Sequence, residues 1–203
     1  MERSFRQYML AGTMLAGGAV FGGATPAAAN VCPVVNLSSN CGITITLNPG
    51  GTASITASGI GPYDGIEDTL VGVVNNSGGT VNSISLSSKT LDIFGFDGDG
   101  LETYISPPKG GATGYEGAIS TNGSFNTSGP LDTFSGITGG LKSGTVNFPG
   151  GLVNGGSAFF SLEEPLTAAS FTVKTGVPEP ATLSVLGAAL AGFGLLRRRR
   201  KAA

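Results

Sequence analysis

Along the middle of the chain, apolar and polar residues alternate with period two, and glycine-rich breaks separate the alternating runs. This is the pattern of short strands with one face in a core and the other in water. Ile43, Ile45 and Leu47 fall on one side, Thr44 and Thr46 on the other. After Asn48-Pro49-Gly50-Gly51, Ala53, Ile55 and Ala57 alternate with Thr52, Ser54 and Thr56, which predicts a hairpin. Thr69 to Asn75 is apolar on both faces and predicts a central strand. The turn sequence Asn76-Ser77-Gly78-Gly79 leads into a run from Thr80 to Ser88, whose apolar positions change phase between Val81 and the pair Ile84 and Leu86, so a bulge is expected there. Three later runs alternate as well: Val146 and Phe148 with Thr145 and Asn147, Phe160 and Leu162 with Phe159 and Ser161, Phe171 and Val173 with Thr172 and Lys174. Many short strands without crossover helices predict an all-β fold, an antiparallel β-sandwich over residues 30–176.

The two ends follow different patterns. Residues 1–29 open with Arg3 and Arg6, continue through a small and apolar run from Met9 to Gly23, and close on Ala27-Ala28-Ala29. This is the layout of a secretory signal helix, with Ala27 and Ala29 at the recognition positions and cleavage after Ala29 by signal peptidase once the translocon has taken up the chain. Cys32 is not preceded by the small residue that a lipoprotein cut requires. At the other end, Val177-Pro178-Glu179-Pro180 precedes an uncharged stretch from Ala181 to Leu196, and then Arg197, Arg198, Arg199, Arg200 and Lys201. As a helix the stretch would be about 24 Å long against a hydrocarbon core of about 30 Å, a short span that snorkelling and local thinning can close. The five cations hold that end in the cytoplasm and leave residues 30–176 outside it, in agreement with the orientation set by the N-terminal signal. Pro178 and Pro180 keep Val177 and Glu179 extended just beyond the span.

Charge sharpens this division. Every Arg lies in a terminal segment, and between Asn30 and Gly176 four lysines face eleven carboxylates, a net charge of −7. Such a middle lacks the basic patch that displaces counterions from phosphates, so nucleic acid is not an expected partner. With charged residues at 12% and 35 glycines, strands joined by tight turns are favoured over ion-paired helices. The only cysteines, Cys32 and Cys41, sit in the exported part, where an oxidising compartment favours a disulfide between them.

The Pro-Glu-Pro sequence, the glycine-containing span and the Arg run, adjacent and in that order over residues 177–203, resemble the PEP-CTERM sorting signal of Gram-negative bacteria. The segments Tyr63 to Gly78, Ile93 to Gly100 and Gly156 to Glu163 are similar to blocks found in many exported proteins of that kind. The resemblance implies an exosortase that recognises the tail and cleaves near Pro-Glu-Pro, a membrane precursor anchored by one transmembrane helix over residues 181–196, and a mature domain at the cell surface or outside the cell. It also implies a link with exopolysaccharide and biofilm.

Candidate chemistry in the middle is sparse. Asp97-Gly98-Asp99-Gly100-Leu101-Glu102, with Asp64, Glu67 and Asp68 on an earlier loop, offers hard oxygen ligands for extracellular Ca²⁺; the same residues also read as Asp-Gly turns with solvated carboxylates. The spacing is not that of an EF-hand. The chain has no His, so triad or phosphoryl-transfer catalysis lacks its usual base, and only Glu102 and Glu116 are nominal carboxylates for glycoside hydrolysis. An enzyme is not expected. The reading is a structural or interaction protein, with a carbohydrate-binding or adhesive module as the alternative, for which Tyr63, Tyr104 and Tyr115 would be the contacts with extracellular polysaccharide.

Overall fold

A computed structural model of the chain describes residues 31–105, 111–120 and 130–176. The expected signal helix, its cleavage site and the C-terminal span lie outside these residues. Among the described residues no helix is long and apolar enough to cross a membrane.

Two sheets enclose the main core. The first has the order β2-β1-β3-β8-β5 and the second β6-β7-β4-β9. The strands are β1 (Ile43–Asn48), β2 (Thr52–Ala57), β3 (Thr69–Asn75), β4 (Val81–Ser88), β5 (Ile119–Ser120), β6 (Thr133–Thr138), β7 (Ser143–Leu152), β8 (Ser157–Leu162) and β9 (Phe171–Thr175). A single helical turn, α1 (Leu101–Tyr104), interrupts them. The alternating positions meet in the middle: Ile43, Ile45, Leu47, Val71, Val73 and Phe160 from the first sheet pack against Ile84, Leu86, Val146, Phe148 and Phe171 from the second. At about 25 cal/mol per Å² of apolar surface removed from water, this contact is the principal favourable term holding the sheets together.

The hairpin forms as the pattern predicts, with Ile45 opposite Ile55 and a tight turn at 49–51. As the edge strand, β2 is only partly covered, and Ala57 is exposed. The bulge in β4 falls between Val81 and Ser83. Thr69–Asn75 is central, between β1 and β8. At its end the fully buried Asn75 donates from Nδ2 to the carbonyls of Leu152 and Gly79, which ties the first sheet to a strand of the second.

Two expectations need correction. The sandwich is not wholly antiparallel, because β1 and β3 run parallel, with Ile43 opposite Val71. β2 ends beside the start of β1, with Ala57 opposite Ile43, and residues 58–68 cross at that end to the other side of β1, so β3 sets out in the same direction as β1. Nor does β8 have one wet face: Phe159 is as buried as Phe160, and Ser161 is fully buried. A second apolar cluster covers that side, built from Cys32, Val35, Cys41, Tyr63, Leu70, Leu101, Ala118 and Phe159.

Two glycines let this cover approach. In β3, Gly72 lies beneath the Cys32–Cys41 disulfide, and a β-carbon there would meet the Cys41 sulfur and Val31. Gly117 lies so close to the Phe159 carbonyl that a β-carbon would occupy the position of that oxygen. The outer layer is thus irregular chain held directly on a sheet.

Candidate functional site

Three segments converge at one end of the first sheet: the loop before β3, the loop between β4 and α1, and the residues just after β8. The pairing of Thr69 with Leu162 brings the first and third together, since Asp68 and Glu163 flank that pair.

Asp64 shapes the first loop. Its carboxylate accepts from the backbone N–H of Glu67 at 3.1 Å and of Asp68 at 2.9 Å, so its oxygens are largely used in closing the turn. Asp68 is fully buried, and the Tyr63 hydroxyl donates to its Oδ2 at 2.8 Å while lying 3.2 Å from Ser161 Oγ. Burial pushes the Asp68 carboxyl up to about 7, partly offset by the Tyr63 hydrogen bond and reinforced by the charge of Glu163. The Tyr63 phenol is itself pushed up, first by burial.

Asp97 and Asp99 flank Gly98 on the second loop. The Tyr115 hydroxyl reaches Oδ1 of both at 3.0 Å, and its ring stacks on Phe96 with centroids 4.6 Å apart. One phenolic proton cannot serve two carboxylates at once. The two acids share a hydrogen bond as well, which holds Asp97 below the usual carboxylate range and pushes Asp99 above it. Glu163, 7% exposed, is pushed up by burial, with a Tyr115 hydrogen bond opposing and the charges of Asp97, Glu67 and Asp99 adding to the shift.

The oxygens that come closest together are those of Glu67, Asp97 and Glu163, one from each carboxylate and all within 4.8 Å of one another. Of the residues that the sequence offers for calcium, Glu67 and Asp97 belong to this trio. Asp99 is its neighbour through Tyr115, Asp64 is occupied in its turn, and Asp68 lies under Tyr63. Glu102 sits on α1 beside Gly114, to whose carbonyl its N–H donates. Glu163 closes the Gly156–Glu163 block far along the sequence, with no ligand spacing of its own, and the pairing of β3 with β8 brings it in.

The other candidates have structural settings. The Glu116 carboxylate accepts from Thr113 N–H, Thr113 Oγ1 and Gly114 N–H, and so closes its own loop. Tyr63 and Tyr115 are fully buried, so neither offers a face for stacking on a sugar; Tyr104 is 36% exposed and packs edge-on against Tyr63. The Cys32 and Cys41 sulfurs are bonded, with Cα atoms 5.1 Å apart.

The second sheet leads to the other functional segment. Its edge strand β9 ends at Thr175, and the N–H of Gly176 makes a last hydrogen bond to the Ser83 carbonyl. From there, residues 176–200 match the family model of the PEP-CTERM protein-sorting motif. The chain carries a PEP-CTERM sorting signal. The match covers Val177, Pro178, Glu179, Pro180, the uncharged stretch and Arg197 to Arg200. A PEP-CTERM signal implies an exported chain that passes through the membrane and is processed by an exosortase. The side chains of the signal, with Lys201, lie outside the described residues, as do Ala27 and Ala29. No curated protein and no solved structure matches the chain.

Proposed function

We propose that the chain is a precursor whose signal peptide is removed after Ala29, whose span over 181–196 anchors it transiently, and whose β-sandwich is delivered to the cell surface or extracellular matrix. There it serves a structural or interaction role, without catalysis, in an exopolysaccharide and biofilm setting. The observation that carries this reading is the sorting motif at 176–200, placed directly after the last strand of the domain. The disulfide, the acidic and Arg-free middle, and the use of Glu116 in loop closure support an exported structural module. Burial of Tyr63 and Tyr115 favours it over a module that binds sugar by aromatic stacking.

Mass spectrometry of the producer's secreted and membrane fractions tests the proposal. The expected mature form begins at Asn30 and ends near Pro178 to Pro180. Intact chain in the cytosolic extract overturns it. Retention of the mature domain on the producer's own extracellular polysaccharide would replace a scaffolding role with a carbohydrate-binding one.

A further inference from the structure

We propose that Glu67, Asp97 and Glu163 form a binding site for a divalent cation of the calcium type, which ties together the three segments at one end of the first sheet. Oxygens bound to a single calcium at about 2.3–2.6 Å can lie no more than about 5 Å apart. The three carboxylates meet that limit, with their nearest oxygens within 4.8 Å of one another.

A cluster of acids on a surface would mean little, but Glu163 is not on the surface. It is 7% exposed, and its Oε2 receives no hydrogen bond. A buried carboxylate oxygen without a donor is costly, and such charges are normally paired or bound to metal. Among the described residues the ion pair is that of Lys142 with Asp92, which lies across Gly95 from Glu163 and leaves Glu163 without a cation of its own. Asp68, next along the chain from Glu67, repeats the signature, with a fully buried side chain whose Oδ1 has no partner.

All the donors are carboxylate oxygens, hard ligands that suit calcium or magnesium rather than a soft transition metal. They come from two loops and a strand end, an irregular and adaptable arrangement that fits the variable geometry of calcium better than the strict octahedron of magnesium. Three protein carboxylates with water completing the shell belong to the weak extracellular class, with Kd of about 10⁻⁴–10⁻³ M. This site is independent of the sorting reading, since it uses none of the tail residues.

The experiment uses the full chain in detergent, stripped with EDTA, then melted with and without about 10 mM calcium chloride and titrated by calorimetry. Mass action at that affinity predicts a rise in melting temperature of about 3–10 °C. Glu163→Gln keeps the shape of the side chain and removes its charge, and Asp97→Asn does the same at an exposed position where folding is not at risk. Each is expected to weaken calcium binding at least about tenfold and to remove most of the thermal shift. Glu163→Gln is also expected to melt above the parent in EDTA and below it in calcium, a reversal that a merely structural Glu163 would not produce. No calcium shift in the parent, an unchanged shift in both variants, or an equal shift with magnesium chloride would each overturn the assignment.

Discussion

The sulfur of Cys41 occupies the space that a β-carbon on Gly72 would need. The disulfide therefore rests directly on the outer face of β3, and the segment it closes is held against the sheet by contact as well as by covalent linkage. Gly72→Ala is expected to destabilise the domain by about 1–3 kcal/mol through overpacking. In a Cys32→Ala/Cys41→Ala background the same substitution is expected to cost much less, because the obstructing sulfurs are gone. Urea denaturation of the four proteins gives the coupling directly, and an equal cost in both backgrounds would show that the disulfide is not what Gly72 accommodates.

Opening the disulfide itself has a separate expected cost. The bonded cysteines are nine residues apart, and a closed loop of that size restricts the unfolded chain by about 2–3 kcal/mol. The Cys32→Ala/Cys41→Ala protein should lose about that much stability under oxidising conditions and match the parent more closely in strong reductant.

Gly117 poses a harder conflict, since the atom in the way is the backbone carbonyl of Phe159 in β8. A flexible side chain could turn aside, whereas a strand carbonyl cannot. Gly117→Ala is expected to cost at least about 3 kcal/mol, or to prevent folding at 37 °C. Circular dichroism melts compare it with Gly78→Ala, where no atom lies within 4 Å of the new β-carbon but φ is 88°. The Gly78 variant, penalised only by its backbone angle, should lose less.

Asp132 makes the stability of the domain depend on pH. Its side chain is fully buried, Oδ1 accepts from Gly117 N–H at 3.0 Å, and Oδ2 has no partner. Burial holds its carboxyl well above the usual range, so the folded state keeps a proton that the unfolded state releases near pH 4. Stability contributed by this proton is present in acid and is lost as pH rises above about 4. Asp132→Asn should flatten that part of the decline between pH 4 and 8, measured by thermal melts. An unchanged slope would mean that Asp132 is ionised in the folded protein.

Replacing Pro178, Glu179 and Pro180 by Ala removes the two prolines, residues that disfavour helix at the position before them, from the matched sorting motif. The expected outcome is accumulation of chain with its tail intact in the membrane fraction, detected by mass spectrometry of the C-terminal peptide. Normal trimming of this variant would show that recognition lies elsewhere in residues 176–200.

Much of the fold could be read from alternation alone. Period two located the hairpin and the strands carrying Val146 and Phe171, the doubly apolar run identified β3 as central, and the phase change at Val81 marked the bulge. Burial of one strand face is a local property of the sequence, written into every second residue. The sorting tail was equally readable, because its parts are contiguous and act in order along the chain.

Partnership was not readable. Nothing near Ile43 says that it will lie parallel to Val71, nothing near Phe159 says that a disulfide loop and Tyr63 will cover its side of β8, and nothing near Glu163 says that Glu67 and Asp97 will face it. The expected ligand set followed proximity in sequence, and so it included Glu102 and omitted Glu163. By itself the sequence determined seven of the nine strands, missing β5 and β6, the face that most of them turn to the main core, and the sorting motif, since these depend on neighbours along the chain. Only the tertiary structure decided which strands pair, which glycines must stay bare and which carboxylates meet, because those depend on contacts between residues far apart in sequence, held in place by burial in a common core.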